Sequence, residues 1–538
     1  MTTRDAVPRR TPRVDPTPAA LDWRHLPERL NLAELFLHRQ LPARGDAPAL
    51  LTETETLTYA QLADQVDRAC AVFRALGLQP EQRVLLMLPD VPAFASAWLG
   101  CVKAGGVVGA VSPDLKPEEV RYYLEYTGAT LLVAHASVLP LVEAALPHCP
   151  RLRRVLVVGS GEAGAGAGAH VAYERALAEA TPDPHFHPTH RDDAAVWLFT
   201  SGSTGFPKGA VHKAHDFLYN ALTYGLPILG YRPGDVMLSV PKLAFGYALG
   251  TNLLFPLLAG AASVLFPEKP TPERLCALVR RFRPTLLTAV PTALNQLASA
   301  PEAEGTDFSC LRLCVSAGEA LPAELYHRFR ARTGVEVLDG IGSAEMFHIF
   351  ITNRPGDVKL GALGRVVEGY EARVCDDEGH ELPRGEVGTL WVRGDSMALE
   401  YWREHEKSKH TFRGDWCVSA DKFRQDEEGY FYFCGRGDDL LKVSGKWLAP
   451  VEVENALLSH PAVREAAVVG FKDHDGLDKP RAFVALQPGH AGSPELAEAL
   501  KAHVRAQLAA YKAPREVRFV EALPRSERGK VLKGELRA

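Results

Sequence analysis

The sequence predicts an α/β protein: a large N-terminal domain of fused α/β subdomains with a small β-rich subdomain, followed by a small α+β C-terminal domain. Three observations carry this prediction. Apolar, strand-length runs alternate with helix-length segments over most of the chain. From about Gly361 the texture changes to shorter strands with charged turns. Beyond Gly435-Arg436-Gly437-Asp438-Asp439, about 100 residues follow a pattern of their own. Strands alternating with helices are what a parallel sheet with crossover helices requires.

Taken in order, Arg83–Leu88 reads as a strand, Ala93–Ala104 as a helix and Gly106–Val111 as a strand. Lys116–Thr127 is then a helix and Thr130–Ala134 a strand. The rhythm resumes at Ala194–Thr200, Val236–Val240, Leu286–Ala289 and Leu311–Val315, while Ala372–Cys375 and Gly388–Val392 belong to the antiparallel part. In the tail, Pro450–His460 and Pro494–Ala510 are helices and Val463–Phe471 and Ala482–Gln487 strands. The expected division is a flexible Pro- and Arg-rich leader over 1–28, a large domain over 29–436 and a small one over 437–538.

With 538 residues, 46% hydrophobic and 24% charged, the chain can bury a sizeable core. Its net charge of −5 gives no nucleic-acid footprint. Nine scattered cysteines without a C-x-x-C pair read as free thiols in a reducing compartment, which makes the cytoplasm the expected location. Leu243–Pro267 holds 25 residues without a charge, long enough to span a bilayer. Its glycines, Pro256, Thr251 and Asn252 favour a buried helix over about 247–258, a turn at Ala259-Gly260 and a strand at Ala262–Phe266, so no membrane partner is expected. Gly159-Ser-Gly161-Glu-Ala-Gly164 matches a dinucleotide fingerprint, but a flexible Ala-Gly tract follows it where a helix should open, so it reads as a surface loop.

The most informative stretch is Val196–Gly209. An apolar strand runs into Thr200, Ser201, Gly202, Ser203, Thr204 and Gly205, and Lys208 follows. Hydroxyls among glycines suit a backbone nest around phosphate oxygens, to which Lys208 adds positive charge. It is not a Walker A loop, because Pro207 precedes the lysine and Gly209 stands where Ser or Thr is required.

Here the sequence resembles the acyl-adenylate-forming superfamily of acyl- and aryl-CoA ligases, adenylation domains and luciferases. TSGSTGFPKG is close to its phosphate-loop signature, and further motifs follow in the family's order from about Leu35 to Leu536. The resemblance implies that Ala317, Gly318 and Glu319, with Asp339, Gly340 and Ile341, border the adenine. It implies that Glu345 helps to hold Mg²⁺, a hard cation suited to carboxylate and phosphate oxygens. Ala344 replaces the family's usual threonine. Asp421 matches the ribose-binding aspartate, and Arg436 would contact ribose or phosphate. Lys530 matches the C-terminal catalytic lysine, bridging the substrate carboxylate and the α-phosphate. The small domain of this family is mobile, with Asp438 at the hinge, and its rotation would bring in a CoA-side loop of Ser444, Gly445, Lys446 and Trp447.

The acid pocket implied by the resemblance takes Phe245, Tyr247 and Ala248 from one segment and Gly342 and His348 from another. Aromatics alternating with small residues fit a planar ring. Both segments, together with Ile351-Thr-Asn-Arg-Pro-Gly356, look most like the benzoate–CoA ligase branch. His348 is open between contact with the substrate and a satisfied core histidine. The implied substrates are ATP, coenzyme A and a small aromatic carboxylic acid such as benzoate, 2-aminobenzoate or hydroxybenzoate. A carrier protein in place of CoA is the first alternative, and a non-catalytic adenylate or acyl-ligand sensor the second. A homodimer is neither implied nor excluded.

Overall fold

The computed structural model describes residues 21–159, 170–200, 207–437, 441–443, 446–474, 478–525 and 531–537. Two large sheets dominate. The first has eight strands, with Arg83–Met87 at its centre between Val107–Val111 and Leu131–His135. Its inner strands are parallel, and Ala194–Thr200 joins them beside Val107–Val111. Lys208–Lys213 and then Glu400–Tyr401 extend the edge antiparallel.

The second sheet has nine strands. Val236–Ser239, Leu286–Ala289, Leu313–Ser316 and Val337–Gly342 run parallel, and Ile349–Thr352 turns back antiparallel. These strands are near-continuous apolar runs because helices cover both faces. The expected β-rich subdomain is a five-stranded antiparallel sheet that includes Gly388–Arg393, Trp416–Gln425 and Phe431–Arg436. The tail has its own three-stranded sheet and helices Pro450–Leu458 and Pro494–Gln507, packed around Val468, Val484, Leu500 and Val504.

Three expectations shift. The end of the proposed leader is packed: Leu26 is buried and Trp23 meets Tyr219 edge-on at 5.6 Å, because Leu21, Trp23 and Leu26 supply apolar surface that the Pro-rich stretch before them lacks. The helix expected over 247–258 spans 246–259 but is broken by a π turn at Gly250–Leu254. Here the Phe255 amide donates to the Gly250 carbonyl, Pro256 has no N–H to give, and a Cβ on Gly250 would lie 2.5 Å from the His348 ring. The following strand ends early, at Val264. All nine cysteines are free thiols, and no helix among the described residues is long and apolar enough to cross a membrane. The Gly-Ala tract at 160–169 lies outside the described residues.

Candidate active site

Thr200, Ser316 and Gly342 end parallel strands of the two large sheets, the edge at which open α/β sheets bind ligands. Thr200 stands opposite Lys208 in the antiparallel pair Ala194–Thr200 and Lys208–Lys213. The two ends of the phosphate loop are therefore clamped side by side. Ser201, Gly202, Ser203 and Thr204 lie outside the described residues.

Beyond Ser316 the chain turns through Gly318, whose φ of +92° needs a residue without a Cβ. Glu319 accepts a hydrogen bond from Thr292 Oγ1 at 3.1 Å. Asp339, whose backbone is expected to border adenine, has its side chain turned into the fold. Its buried carboxylate accepts from the Leu321 amide at 3.1 Å, and its carbonyl accepts from Thr352 Oγ1 and the Asn353 amide. Burial pushes its carboxyl up to about 7. Asp339 thus braces the turn around 317–321 from below. Gly340 is buried in the strand and Ile341 half-buried beside it.

Glu345 sits in a short turn, Ala344–Met346, fastened on three sides. Its carboxylate accepts from the Tyr401 hydroxyl, and its carbonyl accepts from the Ala398 amide at 2.8 Å. The Ala344 carbonyl lies 2.6 Å from His212 Nε2, while His212 Nδ1 lies 2.8 Å from the buried Asp216 carboxylate. Directly after the turn, Phe347 is held at φ +65°, wedged against Phe217 with ring centroids 4.3 Å apart. Strain of this kind persists only where surrounding packing enforces it.

Tyr401, His212 and Asp216 carried no signal in the sequence. Tyr401 reaches the site because Glu400–Tyr401 pairs with the strand that begins at Lys208. Its phenol donates to Glu345, and its ring lies 4.1 Å from the Lys208 ammonium. Burial pushes its hydroxyl far up, so it remains a donor. The five-stranded sheet sets Asp421 directly across from Arg436, joining two expected ribose-side residues through strand register.

The residues expected around the acid are built differently. His348 is buried, with Nε2 2.9 Å from the Tyr247 carbonyl, and burial holds its pKa down at about 4. The neutral ring therefore donates through Nε2 and keeps Nδ1 as an acceptor. That Nδ1 and the buried Tyr247 hydroxyl have no hydrogen-bond partner among the described residues. The rings of Tyr224, Tyr247 and Phe255 surround His348 at centroid distances of 5.4, 5.3 and 5.0 Å. Tyr224 and Phe255 are further residues the sequence did not single out. A second π turn, Ala221–Gly225, carries Tyr224 to this cluster.

Phe245 is half-buried at the head of the helix, whereas Ala248 is fully buried. At Gly342, expected beside the acid, the backbone itself requires a glycine. A Cβ there would fall 2.3 Å from the His348 carbonyl, so the glycine serves the close backbone pairing of the two strands. Asp90 anchors the segment's other end, accepting from the Leu243 amide at 2.9 Å; burial raises its carboxyl to about 6. Next to it, Lys242 donates to the Phe266 carbonyl at 2.6 Å, and burial lowers its ammonium to about 8.

Lys530, Asp438, Ser444 and Gly445 lie outside the described residues, as do the side chains of Arg436, Lys446 and Trp447. The chain is described up to Arg525 and again from Val531, which form a β-bridge to each other.

The family model for AMP-binding enzymes matches residues 37–402, and the model for the AMP-binding enzyme C-terminal domain matches residues 452–530. The chain belongs to the AMP-binding enzyme family. Among its relatives, the benzoate–CoA ligase of Thauera aromatica is 42% identical, with 97% of this chain and 98% of that protein covered. The anthranilate–CoA ligase of Pseudomonas aeruginosa is 35% identical over 86% of this chain and 87% of its own. Among solved AMP-binding enzymes, the anthranilate CoA ligase AuaEII in complex with anthranoyl-AMP superposes with a TM-score of 0.91. It is 36% identical and covers 96% of this chain and 98% of its own. A benzoate CoA ligase from Burkholderia xenovorans LB400 gives a TM-score of 0.86 at 39% identity, covering 95% and 100%.

Proposed function

We propose that this AMP-binding enzyme is an ATP-dependent aryl-CoA ligase. It adenylates benzoate or a small ring-substituted benzoate and transfers the aryl group to CoA. The observation that carries the reading is the cluster of aromatic rings around His348, immediately beyond the Glu345 turn. The benzoate and anthranilate ligases among its relatives support the same substrate class.

In the first half-reaction a carboxylate oxygen attacks the α-phosphorus of ATP and pyrophosphate leaves. Two anions must approach, so cationic groups have to lie between them. Lys208 at the loop exit and Lys530 from the small domain take that role, with Asp421 and Arg436 on the ribose and the turns at 317–319 and 340–341 beside adenine. In the second half-reaction the CoA thiol attacks the aryl carbonyl, gives up its proton and expels AMP. We assign the large domain to 29–436 and the small one to 437–538, with rotation about Asp438 exchanging Lys530 for the loop from Ser444 to Trp447.

Glu345 is the residue that would hold Mg²⁺. Among the described residues no group of three His, Cys, Asp or Glu side chains could hold a metal alone, so one carboxylate completed by nucleotide phosphate oxygens fits the donor set. The ion would supply charge neutralisation at the phosphates. Free thiols fit a reducing cytoplasm.

Acid-dependent exchange of pyrophosphate into ATP, followed by thioester formation with CoA, tests the proposal. Exchange and thioester with benzoate or a small benzoate derivative are expected. Exchange without a CoA thioester would favour loading of a carrier protein.

A further inference from the structure

We propose that Arg525 is a positioning residue for the adenylation half-reaction, latching the small C-terminal unit onto the turn that borders the nucleotide. Arg525 Nη1 donates to Thr292 Oγ1 at 3.0 Å, across 233 positions of sequence. Thr292 in turn donates to Glu319 Oε2 at 3.1 Å. A three-residue chain therefore runs from the tail into the turn after Ser316. Within its own unit Arg525 is aimed by Glu465, 3.3 Å from Nη2, on the long strand Val463–Lys472. The guanidinium is three-quarters buried, at 26% exposure, and its planar fork divides between the two units.

The backbone makes this contact matter for chemistry. Arg525 bridges Val531, and the Leu532 amide donates to the Pro524 carbonyl at 2.8 Å, so both ends of the segment between them are tied together. Val531 follows Lys530 in the chain. Fixing Arg525 on Thr292 thus fixes the base from which the adenylation lysine must reach. This inference rests on the two-step reading above. A contact made in one arrangement of two bodies and broken in the other favours only the step performed in the first. The sequence offers Arg525 only as a part of the lysine motif and Thr292 not at all.

The experiment measures both half-reactions separately in the full-length enzyme: pyrophosphate exchange, and thioester formation from chemically prepared benzoyl-AMP and CoA. Arg525→Ala and Thr292→Val are each expected to lower exchange roughly tenfold, the scale of one charge-assisted hydrogen bond. The double variant should lose no more than either single one, since both break the same link. In Arg525→Ala, thioester formation from the preformed adenylate should stay at the wild-type rate or rise. Arg525→Lys, which keeps the charge but not the fork, should recover part of the exchange. Equal losses in both half-reactions, additive losses, or unchanged exchange would overturn the latch. If Arg525→Ala does not fold, Arg525→Gln carries the same test. Wild-type enzyme that exchanges with no aryl acid would instead overturn the ligase reading itself.

Discussion

Glu345 and His348 are three residues apart and lie in opposite kinds of surroundings. On the side proposed for the nucleotide, Glu345 accepts from the Tyr401 hydroxyl and Asp339 Oδ2 from the Leu321 amide, and only Asp339 Oδ1 of these two carboxylates is buried without a partner among the described residues. On the acid side, Tyr247 and His348 bury a hydroxyl and a ring nitrogen for which the described residues offer no partner. The difference follows from what each side must do. Charge arriving with a triphosphate demands groups fixed in advance, so that none has to reorganise when charge develops. A pocket for a neutral ring needs shape, and an unpartnered polar atom there either costs stability or waits for a matching group.

The comparison can be broken from either side. The largest effect is expected at the fastened side: Glu345→Gln should lower pyrophosphate exchange roughly a hundredfold or more, the scale seen when one preorganised electrostatic group is removed. Exchange within a few-fold of wild type would remove Glu345 from the site. The next is a pH effect on the acid side. The pKa of His348 is depressed to about 4 from 6.5 by burial, so its contribution to stability is present above pH 6.5 and lost as pH falls through 4. By linkage that is up to about 3 kcal/mol. The thermal midpoint of wild type should drop more steeply over this interval than that of His348→Gln; parallel slopes would contradict the buried neutral ring.

Two tyrosine-to-phenylalanine changes then set the regions against each other. Tyr401→Phe removes a donor from a carboxylate and should slow exchange about tenfold. It should also raise the Mn²⁺ concentration needed for binding in the presence of a non-reacting ATP analogue, read by electron paramagnetic resonance. Tyr247→Phe removes an unpartnered hydroxyl and should leave stability equal or raise it by about 1 kcal/mol. Selectivity should move toward unsubstituted benzoate over its hydroxy and amino derivatives, measured as the ratio of kcat/KM values. A large loss of stability in Tyr247→Phe would mean that this hydroxyl has a partner after all.

Much of this was legible in the sequence where the signal is local. The strands at Arg83, Ala194, Leu286 and Gly388 begin on the residues where apolar runs begin. The turns at Gly318 and Glu345 sit at strand ends where the motifs put them. What escaped depends on contacts between distant segments. Tyr401 is joined to Lys208 and Glu345 by an edge strand of two residues, too short to carry a period. Gly342 reads as pocket lining until its neighbour strand brings the His348 carbonyl against it. Gly250, which opens the π turn, packs against a histidine nearly 100 positions away, a contact that a helical pattern alone does not carry.

The most direct test of the whole account is pyrophosphate exchange by the wild-type enzyme across a panel of benzoates, followed by CoA in the same reaction. The account predicts exchange with benzoate or its small ring-substituted derivatives, and an aryl-CoA product with AMP released once CoA is added. Exchange with no aryl acid in the panel would contradict it.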